Sequence, residues 1–179
     1  MLAMAAGLGL LLAATAADLR AQPPASSVPG HPGLALYAQS WAVVAGVDRF
    51  RDRGISRLQY AANDARAVAL ALKGLGFPAE NITLLLDERA TRAEVERVLS
   101  STIRRATGPQ DRLLVFFATH GVTVPLPGGG EEGYLLLHDS DPDDLPLTAL
   151  GMNQFKQIGQ RIPPSTSSSL SMPAMAATA

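Results

Sequence analysis

The chain has 179 residues, 47% apolar and 17% charged, with a net charge of −1 and no cysteine. That suffices for one domain with its own core and is too apolar for wholesale disorder. The near-zero, interspersed charge offers no footprint for nucleic acid, and the missing cysteines exclude disulfides, thiolate metal sites and a cysteine nucleophile in the chain as written.

Aromatic residues make up only 5% of the chain, which argues against a base-stacking platform. Its histidines, His31, His120 and His138, lack the paired spacing of a zinc site, so no metal or cofactor is expected from them. Residues 1–21 read as a signal peptide. Met1 to Ala17 carry no charged side chain and centre on the apolar run Ala5 to Ala14, with small residues at Ala14-Thr15-Ala16. Cleavage is expected near Ala16 or Ala21, and with it export to the periplasm or exterior. The n-region has no Lys or Arg, so an uncleaved anchor or a misassigned start codon stays open as an alternative. Residues 22–40, with Pro23, Pro24, Pro29 and Pro32, read as a linker.

Residues 41–163 read as the folded domain. Trp41 to Asp48 is a short apolar run ending in a charged turn, as a buried parallel strand should be. Ala65, Val68, Ala69, Leu72 and Leu75 recur at helical spacing, and Gly74, Gly76 and Pro78 supply the stop. Asn81 to Leu86 predict a second strand. Thr91-Arg92-Ala93-Glu94 is a capping-box pattern opening a helix whose apolar face holds Val95, Val98, Leu99 and Ile103. Leu113 to Phe117 predict a third strand running into Ala118-Thr119-His120-Gly121. A Pro- and Gly-rich excursion over Val122 to Gly133 precedes a short strand at Tyr134 to Leu137 and a helix over Thr148 to Arg161. After Pro163-Pro164 the composition collapses to Ser, Ala, Met and Thr, so residues 164–179 are not expected to join a fold. Alternating strands and helices predict an α/β domain with a mostly parallel sheet flanked by helices. Ligands of such sheets sit beyond the carboxyl ends of the strands, where Asp48 and His120 fall.

This ordered set resembles the opening of caspase and metacaspase domains. The resemblance is carried by Trp41 to Asp48, Leu58 to Ala65, Gly76-Phe77 with Asn81-Ile82, Leu84-Leu85, Ala90-Thr91, Leu113 to Gly121 and Gly133 to Leu136. It covers roughly Trp41 to Pro163 and implies a three-layer caspase-like sandwich, truncated here before the nucleophile strand. It also implies a cysteine-type endopeptidase acting on polypeptides. In such chemistry a thiolate attacks the peptide carbonyl and a histidine moves protons to the leaving amine, worth roughly 10²–10⁴-fold. The resemblance assigns that role to His120, and assigns to the Gly121 N–H a part in holding the oxyanion. A core histidine closing a strand is the plainer reading of His120. One departure stands out: Ala118-Thr119 replace the family's Ser-Gly, and a β-branched Thr119 is expected to alter the local backbone.

The resemblance places Asp64 in the pocket for the residue before the cut, where a carboxylate selects Arg or Lys. A helix N-terminal carboxylate favoured by the macrodipole explains Asp64 as well. Asp139, Asp141, Asp143 and Asp144 could bind calcium, as in some metacaspases, though a solvated loop explains them more simply. His138 reads as an exposed loop residue.

The family carries its nucleophile after one more helix and strand, in an apolar run ending Asp-Ala-Cys. The tail is consistent with a frame-shifted reading of that strand. Read from the third base of each codon, every serine written TCN lends its TC to a codon for Phe, Leu, Ile or Val. Met172 before Pro173 forces alanine, Ala174 permits Cys, Ser, Arg or Gly, and Met175 before Ala176 forces glycine. One permitted reading from Ser165 is Lys-His-Val-Leu-Phe-Ala-Leu-Asp-Ala-Cys-Tyr-Gly-Gly. Three readings of function follow: a caspase-like endopeptidase inactive as written, a catalytically dead interaction module, and an unrelated doubly wound ligand-binding domain.

Overall fold

The computed structural model of the protein describes residues 26–27, 35–106, 108, 110–160 and 167–170. The expected signal peptide, His31 and the tail beyond residue 170 lie outside the described residues.

The described strands and helices run in the order β1 (Ser26–Ser27), β2 (Ala35–Tyr37), β3 (Ser40–Gly46), α1 (Ala61–Gly74), β4 (Ile82–Leu86), α2 (Arg92–Arg105), β5 (Arg112–Ala118), β6 (Gly121–Pro125), β7 (Glu131–Leu135), α3 (Leu145–Thr148), β8 (Leu150–Gly151), α4 (Met152–Gly159) and β9 (Ser167–Leu170). The main sheet has the order β4-β3-β5-β9, with each neighbouring pair parallel. An antiparallel sheet, β6-β7-β8, follows β5.

Period-two alternation along β3 and β5 divides the core. Val43, Ala45, Leu113, Val115 and Phe117 face Val95, Val98, Leu99 and Ile103 of α2 and Phe155 of α4. Ala42 and Val44 face the other way, with Ala65 and Leu72 of α1 and Phe77. The chain steps from β3 to β4 through α1, then returns over β3 to β5 through α2. Right-handed crossovers in opposite directions put the two helices on opposite faces, which yields the expected three layers.

α1 crosses very close to the end of β3. A Cβ on Gly46 would stand 2.4 Å from the Ala61 carbonyl oxygen and 2.7 Å from the Ala65 Cβ. Gly46→Ala is therefore expected to destabilise the domain by about 1–3 kcal/mol, the usual cost of overpacking, read as a lower urea midpoint with an unchanged m-value.

The capping pattern at Thr91 is half realised. Its side chain accepts from the Glu94 N–H at 3.4 Å, while the Glu94 carboxylate takes Arg97 at 2.6 and 2.7 Å. The residues expected to be linker contribute structure: β1 and β2 pair antiparallel, and the Ala38 N–H donates to the Gln110 carbonyl at 2.7 Å. The Arg112 guanidinium also lies over the rings of Tyr37, at 4.7 Å, and Phe77, at 4.1 Å.

Two expectations near the end of the chain need correction. Thr148 to Arg161 is not one helix: Gly151 is extended and Leu150 pairs with Leu135, so a two-residue strand separates α3 from α4. The tail was expected to stay outside the fold and leave the sheet truncated beside β5. Instead Ser167–Leu170 runs parallel to β5, in the register Arg112↔Ser167 to Val115↔Leu170. The exposed backbone edge of β5 supplies the reason, since parallel pairing satisfies polar groups whatever the side chains are.

Candidate functional site at the carboxyl edge of the sheet

The register aligns the strand ends. Gly46 of β3 pairs with Leu86 of β4 and with Ala118 of β5, so the loops that follow them emerge side by side. Chain direction across the sheet switches between β3 and β5, the place where such sheets form a crevice. Asp48, Asp87, Thr119 and His120 all belong to this edge.

His120 follows β5 directly and is partly exposed. Its Nε2 lies 2.8 Å from the Ser56 carbonyl oxygen. A carbonyl can only accept, so in the neutral ring the proton sits on Nε2 and Nδ1 keeps its lone pair. The Phe50 ring lies against the imidazole at 5.5 Å between centroids, tilted by 32°. Among the described residues Nδ1 has no hydrogen-bond partner, which leaves a basic nitrogen free to move a proton.

Thr119 is bonded across to the end of a neighbouring strand. Its Oγ1 donates to the Leu136 carbonyl at 2.5 Å, and the Leu136 N–H donates to the His120 carbonyl at 2.9 Å. These bonds tie the end of β5 to the end of β7. They also fix Gly121. His120 and Leu136 are a hydrogen-bonded position of the antiparallel ladder, so the next pair, Gly121↔Leu135, is a non-hydrogen-bonded one. The Gly121 N–H therefore points away from β7, off the edge of the small sheet.

The loop after β3 holds His120 in place, and it is itself tied down. The Asp48 carboxylate accepts from the Ala61 N–H at 2.7 Å, and its carbonyl accepts from the Leu58 N–H at 3.0 Å, closing the loop at its base. Asp87 is 7% exposed and accepts from the N–H groups of Asp48 and Arg49 at 2.9 and 3.0 Å and from the Arg49 guanidinium at 3.1 Å. Burial pushes its pKa up, but those donors more than offset it and hold the carboxyl below its ordinary value. His138, expected to be an exposed loop residue, is half-buried: its Nδ1 lies 2.7 Å from the Arg49 carbonyl, and its own carbonyl accepts from the Arg51 N–H at 2.8 Å.

Asp64 lies in the first turn of α1, exposed, and its carboxylate forms no ion pair among the described residues. No hydrogen bond links it to His120. The acidic run does not converge on an ion. Asp139 accepts from the Arg92 N–H at the start of α2, and Asp141 accepts from the Asp143 N–H within its own turn. Among the described residues no three carboxylates, histidines or cysteines gather as a metal cage. Asp139 and Asp141 do border an open cleft of about 370 Å³, with Arg51, Asp52, Ser140 and Thr148.

Sequence reasoning missed Phe50, Ser56 and Asp87. Ser56 acts through its main-chain carbonyl, which no side-chain pattern reveals. Asp87 did carry a signal, as a carboxylate at the end of an apolar strand.

Comparisons with known proteins bear on the family and the fold. A crystal structure of a Geobacter sulfurreducens protein superposes with a TM-score of 0.61 at 18% identity, over 73% of this chain and 48% of that one. The chain thus spans about half the length of that relative, and the likeness shows the fold. No curated protein matches. The family model described as the caspase domain matches residues 39–162, more than half of the chain, and the chain belongs to the caspase family.

Proposed function

We propose that this chain derives from a cysteine-type endopeptidase of the caspase family, with His120 as general acid and base, and that it is inert as written because it has no thiol. The nucleophile is encoded by the same nucleotides in the shifted frame after about Pro164. One observation carries this reading: β9 lies parallel beside β5, in the register Arg112↔Ser167 to Val115↔Leu170.

In the shifted reading the serines at 167 to 169 become apolar strand residues, and the cysteine codon falls at position 174. A shifted strand that continues four steps beyond Val115↔Leu170 sets that cysteine level with Thr119, one residue before His120. Neighbouring strands lie about 4.8 Å apart, so the thiol would come within reach of the imidazole. The free Nδ1 supports its role as the base that takes the thiol proton and returns it to the leaving amine. The outward Gly121 N–H supports a part in holding the oxyanion. The apolar leader supports export, so the polypeptide substrate would be met outside the cytoplasm.

A second reading has one observation in its favour: 179 residues without a single cysteine. On that reading the domain is a catalytically dead caspase-like module that works through bound partners. Sequencing the locus and its transcript, then assaying both chains, separates the two. The chain as written should show no turnover of peptides with Arg, Lys or Asp before the cut; turnover that vanishes in His120→Ala would reveal a nucleophile overlooked here. A transcript that reads only the present frame, with an inert shifted chain, favours the binding module.

A further inference from the structure

We infer that Asp87 is a positioning residue for His120, acting through the loop between β3 and α1; this rests on the reading of His120 as the general base. The argument runs along one chain of contacts. Asp87 grips the Asp48 and Arg49 N–H groups with Oδ1 and the Arg49 guanidinium with Oδ2. The next residue, Phe50, lies against the imidazole, and the same loop returns through Ser56, whose carbonyl accepts the hydrogen bond from Nε2–H. Asp48 shuts that loop at Leu58 and Ala61. A shift at Arg49 therefore moves both groups that set the ring.

Asp87 also sits in a backbone conformation that its burial and bonds must maintain. Its φ is 45°, the only left-handed non-glycine residue among those described. Asp and Asn tolerate that region better than other side chains, because a short polar group can bond locally. A residue held there against its preference, directly beside a functional edge, is a familiar sign of local constraint serving a site. The short side chain matters too. It lets one oxygen collect two successive N–H groups, and Glu88, one residue on, can supply only a second contact to Arg49, at 3.0 Å.

A purely structural Asp87 would affect stability and leave the imidazole alone. The test is therefore ¹⁵N NMR of the His120 ring in the full chain as written, where no peptidase activity is needed. The parent should show a pyrrole-like Nε2 and a pyridine-like Nδ1. In Asp87→Ala the ratio of Nε2–H to Nδ1–H forms should fall roughly 2- to 10-fold, the worth of one net hydrogen bond. Asp87→Asn keeps an acceptor for both N–H groups and tolerates the left-handed backbone, so it should hold the parent ratio. Alanine is strained at this φ; if that variant does not fold, Asp87→Gly removes the carboxylate and relaxes the backbone together. A folded Ala or Gly variant with the parent ratio overturns the inference, as does an Asn variant that falls as far as Ala. An inert shifted chain would instead defeat the peptidase reading and leave these shifts unchanged.

Discussion

Expressed in the shifted frame after Pro164, the chain is expected to gain peptidase activity that the chain as written is expected to lack. The gain is expected to reach at least about 10³-fold over the present frame, since removing the nucleophile of a nucleophile–histidine pair costs up to roughly 10⁶-fold in kcat. Three features of the fold favour that outcome. β5 already accepts a parallel neighbour, so the shifted strand needs no new topology. The residues that replace the serines are apolar, which suits a strand beside Leu113, Leu114 and Val115 better than serine does. His120 is held by Ser56 and Phe50 before any thiol arrives, so the base is preorganised. Controls follow from the coupling of the pair. Keeping alanine at position 174 in the shifted chain, or introducing His120→Ala, should each abolish the gain, and both together should cost little more than either. The measurement is kcat/KM on a peptide panel at matched folded concentration. A shifted chain that unfolds cooperatively yet stays inert on Arg, Lys and Asp peptides would sink the peptidase reading.

The three apolar strands of the main sheet and the two helices between them were legible because their patterns are local. Trp41 to Val47 and Leu113 to Phe117 are buried runs, and the α2 face repeats at helical spacing. Elements whose identity depends on partners were less legible. Gly151 separates α3 from α4 only because Leu150 pairs with Leu135, a contact that periodicity does not encode. The strand at residues 167–170 is the extreme case: Ser-Ser-Ser-Leu has no strand pattern, and β5 alone gives it a partner. The site divides in the same way. His120 is singled out because a motif surrounds it, and Asp64 because a family pattern names it. Ser56 contributes a carbonyl, and the link from Asp87 to His120 runs through backbone N–H groups of Asp48 and Arg49. Main-chain chemistry of this kind leaves no residue signature until the fold is known.

Specificity before the scissile bond should rest on Asp64, so the shifted chain is expected to prefer Arg or Lys there. Asp64 stands in the first turn of α1, exposed and without an ion-pair partner among the described residues. An exposed carboxylate of this kind is available to a cationic side chain, whereas Asp48 and Asp87 are spent on backbone N–H groups. Hydrogen bonds to charged groups contribute about 1.5–3 kcal/mol, so Asp64→Ala should lower kcat/KM on Arg and Lys peptides roughly 10- to 100-fold. Asp64→Asn should lose most of the same preference, because the amide keeps the shape and gives up the charge. Activity on a neutral side chain at that position should change little, which separates lost recognition from lost folding. The rival is the arginine-rich loop after β3. Arg49 is committed to Asp87 and Glu88, but Arg51 and Arg53 are exposed and could receive an acidic side chain. Paired Arg and Asp substrates decide between them. A preference for Asp, or an Arg preference that survives Asp64→Ala, moves the specificity determinant from α1 to that loop.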